Sequence, residues 1–158
     1  MRLETTRFGV LEIDPASIIT FTQPIIGFQE YRRFVLLPVP EDRGLFWLQS
    51  TESGELAFLL MDPRSVVRDY TVTLAAHEKA ELAVSSTDEL EIYTLVVVPQ
   101  DPKKVRTNLR APILISRKHH LGKQTVLDRS EYPIQYLLVQ EAPGTKAPEE
   151  AANARADA

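Results

Sequence analysis

Apolar residues recur along this chain in short runs, broken roughly every 8 to 12 residues by Gly, Pro or a polar cluster, the spacing of an all-β barrel or sandwich. "RLETTRFGVLEI" reads as two short strands around Phe8 and Gly9, with Gly at the turn. "SIITF" is strand-like, and Pro24 and Gly27 break the chain after it. "FVLLPV" is an apolar run of strand length. "GLFWLQS" and "LAFLLMD" flank "TESGE" and form the clearest hairpin. "DYTVTLA" alternates, with Tyr70, Val72 and Leu74 on one face and Thr71 and Thr73 on the other. "LEIYTLVVVP" is the longest β-branched run and is expected to be central, ending at Pro99. "APILIS", "KQTVLD" and "PIQYLLVQ" complete about ten strands.

One helix is expected. "LAAHEKAELAV" has strong helix formers, and Leu74 stands eight residues before Leu82, on one helical face. The pattern therefore predicts a mainly all-β chain: a compact antiparallel β-barrel or sandwich-like single domain over residues 1–140, with at most one short helix. Residues 141–158 differ. "EAPGTKAPEEAANARADA" has no large apolar side chain and cannot offset its ordering entropy by burial, so a disordered Ala/Pro-rich tail is expected.

Composition narrows the chemistry. The 158 residues contain no Cys, which excludes disulfides, thiol catalysis and Cys-ligated metals within them. The N-terminus has acids and a Gly where a signal peptide needs an unbroken apolar run, and no segment has the length of a membrane span. A cytoplasmic, non-membrane protein is the expectation, monomeric when alone. The net charge is -4. Against that balance, "KKVRTNLRAPILISRKHHLGKQTV" from Lys103 carries seven Lys or Arg and no acid. It has the charge of a nucleic-acid groove but no Phe, Tyr or Trp on which bases could stack. Ile113 and Ile115 face one way and Leu114 the other, so "APILIS" reads as a strand wanting cover on both faces, with its basic residues in the flanking loops.

Candidate catalytic features are few. His119 and His120 are adjacent and point to opposite faces if extended, a poor chelating pair. With His77 they are read as exposed turn residues. There is no Gly-rich phosphate loop and no Gly-x-Ser-x-Gly elbow. Glu78, Glu81, Asp88, Glu89 and Glu91 form an acidic cluster, read as a solvated helix face and turn that could meet a basic partner rather than a hard-metal site. No cofactor or metal is implied. Three polar residues stand within or at the ends of apolar runs. Gln49 must be hydrogen-bonded if buried. Asn108 and Asp62, the latter before Pro63, read as turn-formers that satisfy nearby backbone.

In order, "TTRFGVLEI", "IITF" followed by "GF", "FWLQS", "AFLLMDP", "TNLRAPILIS", "GKQTVL" and "YPIQY" resemble the flagellar assembly factor FliW family over residues 3 to 138. The motif positions are Phe8, Gly9, Gly27, Phe28, Trp47, Gln49, Asp62, Pro63, Asn108, Pro112 and Gln124. The chain departs from the family at "PIIGF", where Pro24 and Ile26 replace the usual Gly and Pro, and at Ser116, where Asn is common. The resemblance implies a compact β-barrel-like fold and no catalysis. It also implies two protein partners, flagellin before secretion and the translational repressor CsrA, whose RNA binding the family antagonises allosterically. Expected partner contacts are Glu78, Glu81, Glu89, Glu91, Asn108 and Arg110, polar positions in or near the motifs. The acids would also repel RNA phosphates near a bound CsrA, within a Debye length of roughly 8 Å. The competing expectations are a small barrel binding RNA or single-stranded nucleic acid through residues 103–123, and an enzyme with a carboxylate site.

Overall fold

The computed structural model describes residues 1–42, 44–128 and 131–139. Eleven strands follow one another: β1 Arg2–Thr5, β2 Gly9–Glu12, β3 Ile19–Phe21, β4 Arg33–Pro38, β5 Leu45–Ser50, β6 Ala57–Met61, β7 Glu91–Val97, β8 Arg106–Thr107, β9 Ile113–Ser116, β10 Leu121–Gln124 and β11 Tyr136–Leu137. The single α-helix among the described residues is α1, Ala76–Glu81. The sequence-expected tail, 141–158, lies outside the described residues.

Seven strands close into a ring in the order β7-β6-β5-β4-β3-β10-β9, with β9 returning to β7. Strand direction must be restored after one circuit, so the number of antiparallel joins has to be even. A seven-membered ring therefore needs a parallel join. It lies between β3 and β10, with Gly122 opposite Phe21, and the other six joins are antiparallel. The expected antiparallel barrel is thus present with one parallel seam. β8 and β11 extend the sheet from the far end of β7.

Alternate residues of each stave fill the barrel. Ile19, Phe21, Phe34, Leu48, Phe58, Leu60, Tyr93, Ile113 and Ile115 form one buried cluster. The Phe21–Phe34 and Phe28–Phe58 rings meet edge-on, with centroids 5.2 and 4.9 Å apart. Gly122 is needed at the seam because a Cβ there would lie 2.6 Å from the Phe21 ring.

The outside of the barrel is covered too, which is why β6 and β9 are apolar on both faces. The β1–β2 hairpin lays Leu3, Leu11 and Ile13 over Val35 of β4. The segment between β6 and β7 folds over β7, β9 and β10, packing Tyr70, Val72, Leu74, Leu82 and Val84 against Ile92 and Leu114.

That segment is where the structure differs most from the pattern. "DYTVTLA" alternates as expected, with Tyr70, Val72 and Leu74 buried and Thr71 and Thr73 exposed. It has no ladder partner among the described residues, however, and is extended chain rather than a strand. The helix expected over 74–84 is confined to α1. Its two leucines are both buried, but they flank the helix rather than lie within it. Ala83 adopts a left-handed φ of 58°. Its N–H donates to the Ala80 carbonyl and that of Val84 to the Lys79 carbonyl, at 3.1 and 3.0 Å, a Schellman ending.

Candidate functional site

The acidic cluster is not the solvated helix face expected: the Glu78 and Glu81 side chains are only 16% and 26% exposed. Glu78 and Glu81 stand on α1 and converge on Lys123 of β10, whose Nζ lies 3.3 Å from Glu78 Oε2 and 3.2 Å from Glu81 Oε1. Burial pushes the Glu78 carboxyl up. Hydrogen bonds from the Thr125 hydroxyl and the Ala75 N–H, with Lys123 beside it, outweigh that and hold it below the usual carboxylate range. These contacts clamp α1 to the barrel wall. Glu89 accepts from the backbone N–H groups of Ser85 and Ser86, which lower its carboxyl below the usual range. Glu91 pairs with Arg117 at 2.9 Å and accepts from the Tyr93 hydroxyl. Burial, followed by that bond, pushes the Tyr93 phenol up. Glu78 and Glu81 therefore come together around one cation, while Glu89 and Glu91 are held separately.

Asn108 and Arg110 sit on the loop before β9. Asn108 Oδ1 accepts from the N–H groups of Arg110 and Ala111 at 3.0 and 3.1 Å, the turn closure its position suggested. Arg110 Nε donates to the Tyr132 carbonyl at 2.9 Å.

The motif residues interlock across the sequence. Phe8 packs edge-on against Trp47 with centroids 6.1 Å apart, and the Arg7 guanidinium lies 4.0 Å over the same indole. Buried Gln49 donates from Nε2 to the Ser50 and Leu56 carbonyls at 3.0 and 3.1 Å, tying down the β5–β6 turn. Asp62 Oδ1 accepts from the Arg64 N–H and caps the short helical turn that Pro63 begins. The Pro112 carbonyl accepts from the Thr125 N–H. Gln124 accepts from the Ile26 N–H at 2.9 Å and donates to the Ala111 carbonyl at 3.1 Å, joining the "PIIGF" loop to the start of β9. In that loop the Phe28 N–H closes a turn onto the Ile25 carbonyl, and Gly27 takes the left-handed position with φ of 90°. Ile26, exposed at 65%, occupies the turn position where Pro is favoured.

The basic stretch does not form one face. Lys103, Lys104 and Arg106 lie by the C-terminal end of β7, whereas Arg117 and Lys118 follow β9 by its N-terminal end. The two groups are roughly 20 Å apart along the strand at about 3.3 Å per residue. Lys123 and Arg117 are spent on carboxylates. His119 and His120 are exposed in the β9–β10 turn and His77 is exposed on α1.

The sequence did not mark one concavity of the molecule. It is a cleft of about 710 Å³ lined by Thr71, Thr73, Leu74, Ala75 and Glu78 from one segment and by Thr125–Asp128 from another, with Tyr132 also in its lining. The only signal was the alternation of "DYTVTLA", which left two threonines on the open side.

A family model described as FliW protein matches residues 2–138. The flagellar assembly factor FliW of Geobacter sulfurreducens is 38% identical over 148 residues, covering 94% of this chain and 92% of that protein. The protein of the same description from Desulfitobacterium hafniense strain Y51 is 36% identical over 149 residues, covering 94% and 98%. A crystal structure of the flagellar assembly factor FliW superposes with a TM-score of 0.82 at 30% identity, covering 89% of this chain and 99% of that one.

Proposed function

This chain belongs to the FliW family of flagellar assembly factors, and on that premise we propose that it is a non-catalytic cytoplasmic regulator with two protein partners. One is flagellin before its secretion. The other is CsrA, whose RNA binding it antagonises allosterically, so that the level of flagellin sets the translation of flagellin. The observation that carries this reading is the family match over residues 2–138, essentially the whole barrel and its outer cover.

The distribution of charge supports it over the nucleic-acid reading. Five of the seven cations of the 103–123 stretch are split between opposite ends of β7, and two of the seven, Arg117 and Lys123, are paired with carboxylates within the molecule. Among the four expected contact acids, Glu89 combines exposure with a carboxyl held below the usual carboxylate range, so it is the one best placed to face a basic partner. Reversing Glu78 or Glu81 would loosen α1 before it reported on any contact. Glu91 is tied to Arg117 and Tyr93, so Glu89→Lys alone is the cleaner test of electrostatic repulsion. It should weaken antagonism and flatten its salt dependence, and antagonism unchanged across salt would remove that part of the proposal.

Titration calorimetry against CsrA and flagellin from the same organism, with a flagellar-leader RNA as control, tests the whole reading. Saturable heats with both proteins and none with RNA are expected. Binding of RNA without CsrA would replace this reading with the nucleic-acid one.

A further inference from the structure

Both walls of the cleft are chain outside the sheet that leaves backbone groups unpaired among the described residues. Along an extended chain, the N–H and C=O of alternate residues point to the same edge. In the segment from Tyr70 to Ala75, the Thr71 N–H donates to the Tyr132 hydroxyl at 3.1 Å and the Ala75 N–H to Glu78 Oε1 at 3.3 Å. Tyr132 and Glu78 both line the cleft, so the edge shared by residues 71, 73 and 75 faces it. Between these two satisfied groups, the N–H and C=O of Thr73 have no hydrogen bond among the described residues. The opposite wall is arranged the same way. The N–H groups of Thr125 and Leu127 point away from the cleft, to the carbonyls of Pro112 and Arg110 at 3.1 and 2.7 Å. Alternation then turns the Val126 N–H and C=O toward the cleft, and these too are unbonded among the described residues.

We propose that this cleft docks one extended segment of a partner protein, inserted as a strand between the Thr71–Ala75 and Thr125–Asp128 walls and carrying a basic side chain. A helix would satisfy its own backbone and leave both edges unused, whereas a strand completes them. The charge of the segment follows from the lining, which contains the carboxylates of Glu78 and Asp128 and no base. Lys123 already answers Glu78, while Asp128 has no ion pair among the described residues. Val126, 43% exposed, offers an apolar contact for the segment's alternate side chains. The volume lies in the range of about 300 to 1,000 Å³ that concave binding sites occupy. The cleft's chemistry does not depend on which protein supplies the segment, so its test is separate from that of CsrA or flagellin binding.

The probe is a capped seven-residue peptide alternating Thr and Val with Lys at each end. It is titrated into the isotope-labelled protein and followed by amide resonances. The expected result is saturable binding, with the Thr73 and Val126 amides moving most. A copy N-methylated on alternate residues should bind at least about tenfold more weakly, and Asp128→Asn should erase the preference for Lys over Ser ends. Asp128 lies at the surface, so that variant keeps its fold, which a thermal melt verifies. Any of four results would overturn the proposal: no saturation below about 1 mM, equal binding of the N-methylated copy, tighter binding of a stapled helical peptide of the same composition, or self-association of the protein through these same amides.

Discussion

Lys123 places its ammonium where its own side chain is only 10% exposed, between two carboxylates on a different element. Removing one member of such a set leaves the others uncompensated, so the pairing is felt most when it is broken. Glu78→Gln should therefore cost about 2 kcal/mol at neutral pH, the scale of hydrogen bonds to a charged group. The folded-state pKa of Glu78 is below the ordinary 4.5. Its stabilising effect is thus complete above that value and is lost as pH falls through the lower, folded value. Urea denaturation of the two proteins should show a gap at pH 7 that narrows below about pH 4. At the parallel seam, Gly122→Ala drives a methyl into the Phe21 ring and should cost about 1 to 3 kcal/mol. Phe21→Leu in the same chain should recover part of that loss, a coupling that a double-mutant cycle measures. In the sequence, Lys123 looked like one more member of a basic run. Its burial depends on a helix 42 residues away, and local pattern carries no information about that.

Short elements here are set by a repeated local device that the sequence does show. Asp14-Pro15, Asp62-Pro63 and Asp101-Pro102 each begin a 3-10 turn. In each, the Asp carboxylate accepts from the N–H two residues on, at 2.9, 2.9 and 3.0 Å. Replacing each Asp by Ala should cost about 1 kcal/mol. The sites lie on separate elements, so a triple variant should lose close to the sum of the single losses in denaturant midpoints. The end of α1 uses a less suitable residue, since Ala83 rather than Gly holds the left-handed position. Ala83→Gly is expected to stabilise by up to about 1 kcal/mol and raise the melting temperature. Most strands were legible because a barrel with an outer cover still shows alternation or a continuous apolar run. "DYTVTLA" misled because alternation reports burial of one face and not the presence of a ladder partner. For the same reason the cleft was illegible. Thr73 and Val126 are ordinary residues whose meaning lies in bonds their backbones do not make among the described residues.

Across the whole molecule, order should fall from the ring outward. β6 is buried along its length and β7 pairs with three strands. β11 and the β1–β2 hairpin are small additions at the margin. Amide hydrogen exchange should therefore be slowest in β6 and β7 and fastest in β1, β2 and β11. A uniform rate across these strands would contradict this ranking. The sequence conveyed the class of fold but not its closure. A count of about ten strands says nothing of which seven form the ring, and parity fixes the need for a parallel seam only once that number is known.

That seam also governs what happens while the chain is being made. The partners it joins are far apart, with Thr22 donating to the Gly122 carbonyl across 100 residues. At about 5 to 20 residues per second, the ribosome needs roughly 5 to 20 s to deliver β10 after β3 has emerged. Throughout that interval β3 presents an unpaired strand edge, the kind of surface on which chains join one another. The newborn protein is therefore most open to aggregation just before its last two staves arrive, and a stall between residues 97 and 113 would hold it there.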